Sequence, residues 1–218
     1  MDRAGLARMI DHTKLDAEST PGQIALFCGE ATQLGVGAIC IPPNRLPLGP
    51  HGLPAEIAVV TVIGFPTGAH RSAAKAAEAA QAVADGADEL DMVIDLGLAS
   101  SGMWDEVGAD IARVRAAAPD VVLKVIIESG WLGRPQPIVT ACQVAEAAGA
   151  DFVKTSTGFH PAGGATFAAV ELMAATVDGR LGVKAAGGIR DTQTALAFLD
   201  AGATRLGCSS TKAILQGM

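Results

Sequence analysis

Short apolar runs rich in β-branched residues alternate along this chain with longer segments rich in alanine. The runs have the length and the nearly continuous hydrophobicity of strands that are covered on both faces, and the alanine-rich segments have the length and composition of helices. The predicted strands are Ile10–Thr13, Val36–Ile41, Ala58–Ile63, Glu89–Ile94, Val121–Ile127, Asp151–Thr155, Leu181–Ala185 and Thr204–Cys208. The predicted helices lie near residues 20–34, 70–85, 104–118, 137–148, 165–177, 191–201 and 209–217.

A glycine follows four of the predicted helices, at Gly35, Gly86, Gly149 and Gly202. Glycine readily adopts the left-handed backbone conformation that ends a helix, and each time the next strand begins shortly afterwards. Such a return from helix to strand is needed by a βα-barrel or by a doubly wound sheet. Eight strands without a break in composition favour the closed barrel. We therefore predict an α/β fold, a TIM (β/α)8 barrel formed by a single domain of residues 1–218.

The composition excludes several classes of function. The net charge is −7 and no basic stretch occurs, so we expect no nucleic-acid partner. No uninterrupted apolar run approaches ~20 residues, and the N-terminus lacks the pattern of a secretory signal, so we expect a cytoplasmic protein with no membrane partner. The four cysteines form no C-x-x-C pair, and we expect them to be reduced and mostly buried.

Three successive predicted strands each carry a lysine within an otherwise apolar run: Lys124, Lys154 and Lys184. Lysine is rarely buried in a parallel barrel without a partner, so these side chains are expected to be neighbours at or inside the barrel mouth. A lysine attacks a carbonyl only as the neutral amine, which burial and a nearby ammonium both favour. The alternative is a structural ion pair with Glu89, Asp91 or Glu128. Three lysines in register favour the catalytic interpretation.

Acidic side chains accompany these lysines. Strand alternation places Asp91 on the same face as Glu89, where its carboxylate either holds a lysine charged and relays protons or forms a structural salt bridge. Asp11 and Thr13 end the first predicted strand and are candidates for the same mouth. For His12, between them, we favour a packing or capping role.

The last two strands suggest an anion site. Gly187 and Gly188 follow the seventh strand, and Ser209 and Ser210 follow the eighth. Barrel enzymes often bind phosphate with these two loops and a helix N-terminus. We predict no metal, because the histidines show no ligand spacing, and no nicotinamide cofactor, because no dinucleotide-binding fingerprint occurs.

Several segments, in order and at compatible spacing over nearly the whole chain, resemble the signature segments of the deoxyribose-phosphate aldolase family. They are Ile10-Asp11-His12-Thr13, Glu89-Leu90-Asp91-Met92-Val93-Ile94-Asp95, Leu123-Lys124-Val125-Ile126-Ile127-Glu128, Lys154-Thr155-Ser156-Thr157-Gly158, Val183-Lys184-Ala185-Ala186-Gly187-Gly188-Ile189-Arg190 and Gly207-Cys208-Ser209-Ser210. The resemblance implies a class I aldolase that uses no cofactor and cleaves 2-deoxy-D-ribose 5-phosphate to D-glyceraldehyde 3-phosphate and acetaldehyde. It implies phosphorylated-sugar and aldehyde substrates and a homodimer.

The resemblance also implies roles for single residues. Lys154 corresponds to the lysine that forms the Schiff base, Lys184 to the neighbour that lowers its pKa, and Asp91 to a proton relay acting through a water. The implied substrate-binding residues are Lys124, Thr155, Asp11, Thr13 and Cys40. The implied phosphate-binding residues are Gly158, Gly187, Gly188, Arg190, Gly207, Ser209 and Ser210. Two alternatives stay open: a lysine-dependent aldolase for another sugar phosphate, and a barrel that binds a sugar phosphate without catalysis.

Overall fold

The strands of the computed structural model, which describes residues 1–49 and 52–218, are all parallel and close into one barrel. They are β1 Ile10–Thr13, β2 Ala38–Ile41, β3 Ala58–Ile63, β4 Glu89–Val93, β5 Val122–Ile126, β6 Phe152–Lys154, β7 Gly182–Ala186 and β8 Arg205–Cys208. Each strand pairs with the next one along the chain, and β8 pairs with β1 through Asp11 opposite Gly207. The predicted TIM barrel is therefore confirmed.

Helices follow the strands and surround the barrel. They are α1 Arg3–Arg8, α2 Pro21–Leu34, α3 Ser72–Ala84, α4 Leu96–Ser100, α5 Trp104–Ala117, α6 Ser129–Leu132, α7 Pro135–Ala147, α8 Phe167–Val177, α9 Thr192–Asp200 and α10 Thr211–Gln216, with a 3-10 turn at Pro43–Arg45. All seven predicted helices are present. The sequence did not predict α1, α4 and α6, whose four to six residues show no clear helical period.

The largest difference from the predicted strands is the start of β2, which begins at Ala38 and not at Val36. Gly35 ends α2 in a left-handed conformation with φ 68°, as predicted. The amide of Val36 then donates to the helix carbonyl of Ala31, and the amide of Gly37 donates to Ala7 of α1. Since these two amides bind the end of α2 and α1, the pairing of β2 starts two residues later than predicted.

Strand side chains divide between two environments. In β5, Leu123 and Val125 face outwards and join the core between the strands and the helices. Lys124, between them, faces the barrel interior, where it meets charged groups from other strands. A smaller apolar cluster of Ala38, Cys40, Val60 and Val62 fills the interior at β2 and β3. The barrel interior is thus apolar on one side and ionic on the other.

Candidate active site

The three strand lysines meet at one carboxylate. Asp91 on β4 accepts from Lys124 on β5 through Oδ1 at 2.8 Å. Its other oxygen, Oδ2, accepts from Lys154 on β6 at 2.8 Å and from Lys184 on β7 at 2.6 Å. Parallel pairing in register brings these positions to one side of the barrel interior, since Asp91 lies opposite Lys124 and Lys154 lies opposite Lys184. The structure brings together the predicted catalytic residues.

Two further carboxylates and an arginine extend this cluster. Asp11 on β1 pairs with Lys184, and Glu89 on β4 pairs with Lys124 at 2.5 Å. Arg205, the first residue of β8, binds the remaining oxygens of both acids, at 2.7 Å to Asp11 and 3.3 Å to Glu89. Arg205 was not predicted as a site residue. Its position two residues before Gly207 places the two residues on the same strand face, which would have indicated it.

Only one of the three lysines borders a cavity. Lys124 and Lys184 have no exposed surface, whereas Lys154 is 3 % exposed and lines a cavity of about 280 Å³ at the barrel mouth. A ligand that enters the cavity therefore meets the amine of Lys154 first. The other two amines lie behind it.

The pKa values of the two adjacent lysines, Lys154 and Lys184, are shifted in opposite directions. Burial is the largest influence on Lys154 and lowers its pKa; the Lys184 ammonium lowers it further, while Asp91 opposes both. Burial also acts to lower the pKa of Lys184, but its carboxylate neighbours Asp11 and Asp91 outweigh that effect and raise its pKa above the ordinary value. The result is a fixed ammonium beside an amine that loses its proton readily.

Asp91 and Asp11 are held ionised. Burial alone would raise the pKa of Asp91, but Lys124, Lys154 and Lys184 outweigh it and hold that pKa well below its usual range. Asp11 behaves likewise, and its lysine and arginine neighbours lower its pKa to about 2. Both groups are therefore hydrogen-bond acceptors at neutral pH.

The cavity mouth has the glycine-rich composition predicted for an anion site. Its lining includes six of the seven predicted phosphate-binding residues, namely Gly158, Gly187, Gly188, Arg190, Gly207 and Ser209. Ser210 does not line it. Arg190 is exposed and pairs with no carboxylate in the part of the chain that the structure describes. The arrangement offers backbone amides and one unpaired guanidinium to an anion.

Glycine is required at Gly187 for two reasons. Its φ of 88° lies in the left-handed region, and an added Cβ would lie 2.8 Å from Ser156 Oγ and 2.9 Å from Gly164 Cα. Gly164 belongs to the loop that leads into α8, so the loops after β6 and β7 pack backbone against backbone. A side chain at position 187 would therefore push these two loops apart.

The predicted substrate-binding residues lie in different places. Thr13 lines the cavity, and its hydroxyl donates to the carbonyl of Asp11 at 2.9 Å. Cys40 is fully buried beside the lysines, and burial raises the pKa of its thiol to about 11. The hydroxyl of Thr155 donates to the carbonyl of Ala186 at 3.1 Å and accepts from its amide at 3.0 Å. Thr155 therefore joins β6 to β7 and does not border the cavity.

His12 packs away from the cavity mouth, in agreement with the packing role favoured from the sequence. Its ring stacks on Phe27 of α2 at 4.0 Å, and its Nδ1 lies 2.8 Å from the hydroxyl of Thr211 in α10. Burial lowers the pKa of His12 to about 4. The imidazole is thus a neutral packing group between β1 and two helices.

Another buried carboxylate, Glu128, lies two residues after the end of β5. It adopts a left-handed conformation with φ 53°, which is costly for a residue with a side chain. Its Oε2 accepts from the hydroxyl of Thr157 at 2.7 Å, and that hydroxyl in turn accepts from the amide of Phe159 at 3.1 Å. Glu128 was considered from the sequence as a lysine partner, but in the structure it binds Thr157 in the loop that carries Gly158.

Lys14 and Asp16 also line the cavity mouth and form a salt bridge at 2.8 Å. Neither residue was predicted from the sequence as part of the site.

Among residues 1–49 and 52–218, no group of three His, Cys, Asp or Glu side chains is arranged to hold a metal ion. His51 lies outside the described residues. Within the same ranges, none of the helices combines the length and the apolar composition that crossing a membrane requires.

Comparisons with known proteins agree with this geometry. Residues 6–217 match the model of the DeoC/LacD family aldolases. The chain is 60% identical over 217 residues to a deoxyribose-phosphate aldolase from Kocuria rhizophila, covering 99% of this chain and 98% of the relative. It is 55% identical over 219 residues to one from Mycobacterium tuberculosis, covering 99% and 97%.

A solved structure of an aldolase, QR15, superposes with a TM-score of 0.92 at 37% identity, covering 97% of this chain and 94% of that one. The barrel, the lysines that share Asp91 and these similarities agree with one another. The chain belongs to the DeoC/LacD family of aldolases.

Proposed function

We propose that this protein reversibly cleaves 2-deoxy-D-ribose 5-phosphate to D-glyceraldehyde 3-phosphate and acetaldehyde, through a Schiff base on Lys154, in the breakdown of deoxyribonucleosides. The observation that carries the proposal is the accessibility of Lys154. It is the member of the three-lysine cluster that borders the cavity, and its pKa is lowered by burial. The names of the relatives support the choice of substrate.

The reaction begins with the neutral amine of Lys154. Its lone pair attacks C1 of the open-chain sugar, the carbonyl oxygen is protonated, and loss of water gives an iminium. The positive iminium replaces the ammonium that Lys154 would otherwise form beside Asp91. Since Asp91 Oδ2 lies 2.8 Å from Nζ, the carboxylate stabilises the charge that develops there.

Cleavage then breaks the bond between C2 and C3, because acetaldehyde retains C1 and C2. The electron pair of that bond moves to the iminium and leaves an enamine, while the C3 hydroxyl loses its proton and becomes the aldehyde of glyceraldehyde 3-phosphate. Asp91 is held ionised and suits a role in orienting a water that carries this proton, together with Lys184. Protonation of the enamine at C2 and hydrolysis of the iminium release acetaldehyde.

The phosphate end of the sugar occupies the glycine-lined side of the mouth in this proposal. Gly158, Gly187, Gly188, Gly207 and Ser209 surround that side, with Arg190 at its exposed edge. Binding energy from the phosphate positions the reacting carbons near Lys154. Thr13 borders the same cavity, while Lys124, Asp11, Thr155 and Cys40 support the site from behind. Ser210 has only an indirect role, through the start of α10.

A turnover assay with 2-deoxyribose 5-phosphate tests the reaction, run with and without a chelator. We expect acetaldehyde to form at equal rates in both. Borohydride reduction in the presence of acetaldehyde should add two carbons to Lys154, as mass spectrometry of peptides would record. Trapping without turnover of this sugar would favour an aldolase for a different sugar phosphate. Absence of both would favour a barrel that only binds a sugar phosphate.

We also propose a cytoplasmic location and a homodimer. Both rest on the resemblance and composition. Light scattering of the purified protein measures the assembly, and a monomeric mass would contradict the second proposal.

A further inference from the structure

The ionic side of the barrel interior holds more basic than acidic side chains. Its cations are Lys124, Lys154, Lys184 and Arg205, and its anions are Asp11, Glu89 and Asp91. With every group ionised the cluster carries one surplus positive charge. With Lys154 neutral, the three remaining cations balance the three carboxylates. A buried cluster favours neutrality, because an uncompensated charge is expensive at low dielectric.

Arg205 takes part in this balance from a position that does not border the cavity. Its Nη1 binds Asp11 Oδ1 at 2.7 Å and its Nη2 binds Glu89 Oε1 at 3.3 Å. The other oxygens of the same acids bind Lys184 and Lys124. Each of these two carboxylates is thereby shared between the arginine and a lysine, and Asp11 Oδ2 also lies 3.8 Å from Lys124 Nζ.

Asp91 is the acid that remains for Lys154. Its two oxygens are already occupied by Lys124 and Lys184, so Lys154 shares Oδ2 with a competing ammonium. Strand β3 contributes Val60 and Val62 to the interior and no ionisable group. The thiol of Cys40 on β2 adds no charge, because burial raises its pKa to about 11.

We propose that Arg205 is a positioning residue of the aldolase reaction, which binds Asp11 and Glu89 on the far side of the cluster and so keeps Lys154 an uncharged amine. This inference rests on the proposed role of Lys154. Without Arg205, one oxygen of Asp11 and one of Glu89 lose their partner. Lys124, already 3.8 Å from Asp11 Oδ2, and Lys184 would then turn towards those acids and release Asp91 to bind Lys154 as an ammonium.

Arg205→Met tests the inference, since methionine is unbranched and uncharged. We expect the acidic limb of the pH profile of kcat/KM to move upwards by on the order of one pH unit. The pH profile of the rate of borohydride trapping with acetaldehyde should shift in the same way. The activity well above that limb should stay within about threefold of the wild type. Arg205→Lys retains the charge and should keep the wild-type limb. The surface variant Arg180→Met is the matched control, because Arg180 pairs with Glu146 outside the barrel.

A second substitution that restores the balance of charges distinguishes an electrostatic role of Arg205 from a structural one. Glu89→Gln removes one negative charge, so it should move the limb downwards when made alone. Combined with Arg205→Met, it should return the limb to the wild-type position. A folded Arg205→Met protein with an unchanged limb would overturn the inference, and so would a double variant as shifted as the single one. If Arg205→Met does not fold by itself, the double variant is compared with Glu89→Gln alone, and the inference requires the pH limb of the double variant to lie at the higher pH.

The result also distinguishes this inference from the proposed function. Failure of the wild-type protein to be trapped at Lys154 would remove the proposed function. Normal trapping of the wild type, with no shift in any Arg205 or Glu89 variant, would remove only the role of Arg205.

Discussion

Two buried lysines in this protein have opposite surroundings. Lys75 lies on α3, outside the barrel, faces α5 and has no exposed surface. Its ammonium binds Asp110 at 2.6 Å and the carbonyl of Val93 at 2.9 Å. Lys154 is almost equally buried, but Asp91, the one carboxylate that it pairs with in the described part of the chain, is shared with two other lysines.

The difference shows that burial alone does not make a lysine reactive. Lys75 has one carboxylate to itself, so its burial is compensated by a complete ion pair. Lys154 must compete for its carboxylate, and the competing ammonium of Lys184 favours the uncharged amine. The number of cations that share a carboxylate therefore distinguishes the surroundings of Lys75 from those of Lys154, the proposed nucleophile.

Replacing Lys154 should have the largest effect on turnover. Lys154→Met removes the nucleophile and should lower kcat at least a thousandfold, since no covalent intermediate can form. The fold should remain, because Lys124 and Lys184 still neutralise Asp91. Steady-state assays and circular dichroism measure the two effects. Appreciable residual turnover would contradict the covalent role.

Replacing Lys75 should affect stability and leave chemistry alone. Lys75→Met leaves Asp110 buried without its cation and should lower the free energy of unfolding by about 3–5 kcal/mol. Urea denaturation measures this loss, and kcat of the folded fraction should change less than about twofold. The double variant Lys75→Met with Asp110→Leu should recover much of the stability. If it is no more stable than the single variant, the ion pair is not the reason for the loss.

Removing the competing ammonium should make Lys154 more like Lys75. Lys184→Leu frees Asp91 Oδ2 for Lys154 alone, so the pKa of Lys154 should rise. Because the reactive form is the neutral amine, the acidic limb of the pH–rate profile should move about one unit or more to higher pH. Lys184→Arg retains the positive charge and should shift the limb less. An unchanged limb in Lys184→Leu would count against the coupling.

The smallest effect should come from the loop that carries Gly158. Thr157→Val removes the hydroxyl that donates to Glu128 and accepts from Phe159. Loss of these bonds, each worth about 1 kcal/mol, should raise KM for the phosphorylated sugar about tenfold with little change in kcat. Cleavage of 2-deoxyribose, which lacks the phosphate, should change less. Thr157→Ser keeps the hydroxyl and should behave like the wild type; equal losses for both sugars would refute a phosphate-specific role.

The sequence predicted most of the fold because its local signals agree with the tertiary structure. Eight apolar runs, alanine-rich segments and glycines at helix ends all indicate alternating strands and helices. The left-handed conformations of Gly35, Gly86, Gly149 and Gly202 confirm the predicted helix ends. The missed helices are those too short to show a period, and strand ends shifted where amides had partners outside the sheet.

The site was predicted in part. The lysines and Asp91 stood out as charged residues within apolar strands, and their register followed from parallel pairing. Arg205 did not stand out, because it begins its strand beside polar residues and its partners Asp11 and Glu89 are distant in sequence. Glu128 was noticed, but the identity of its partner depends on the path of a loop, which no periodicity encodes.

The sequence by itself determined the alternation of strands and helices, the inward positions of Lys124, Lys154 and Lys184, and the membership of the aldolase family. Only the tertiary structure decided which of these amines a ligand reaches and how the carboxylates are shared among the cations. The physical reason is that periodicity specifies the face on which a side chain lies, whereas exposure and ion pairing depend on distances between strands that are remote along the chain.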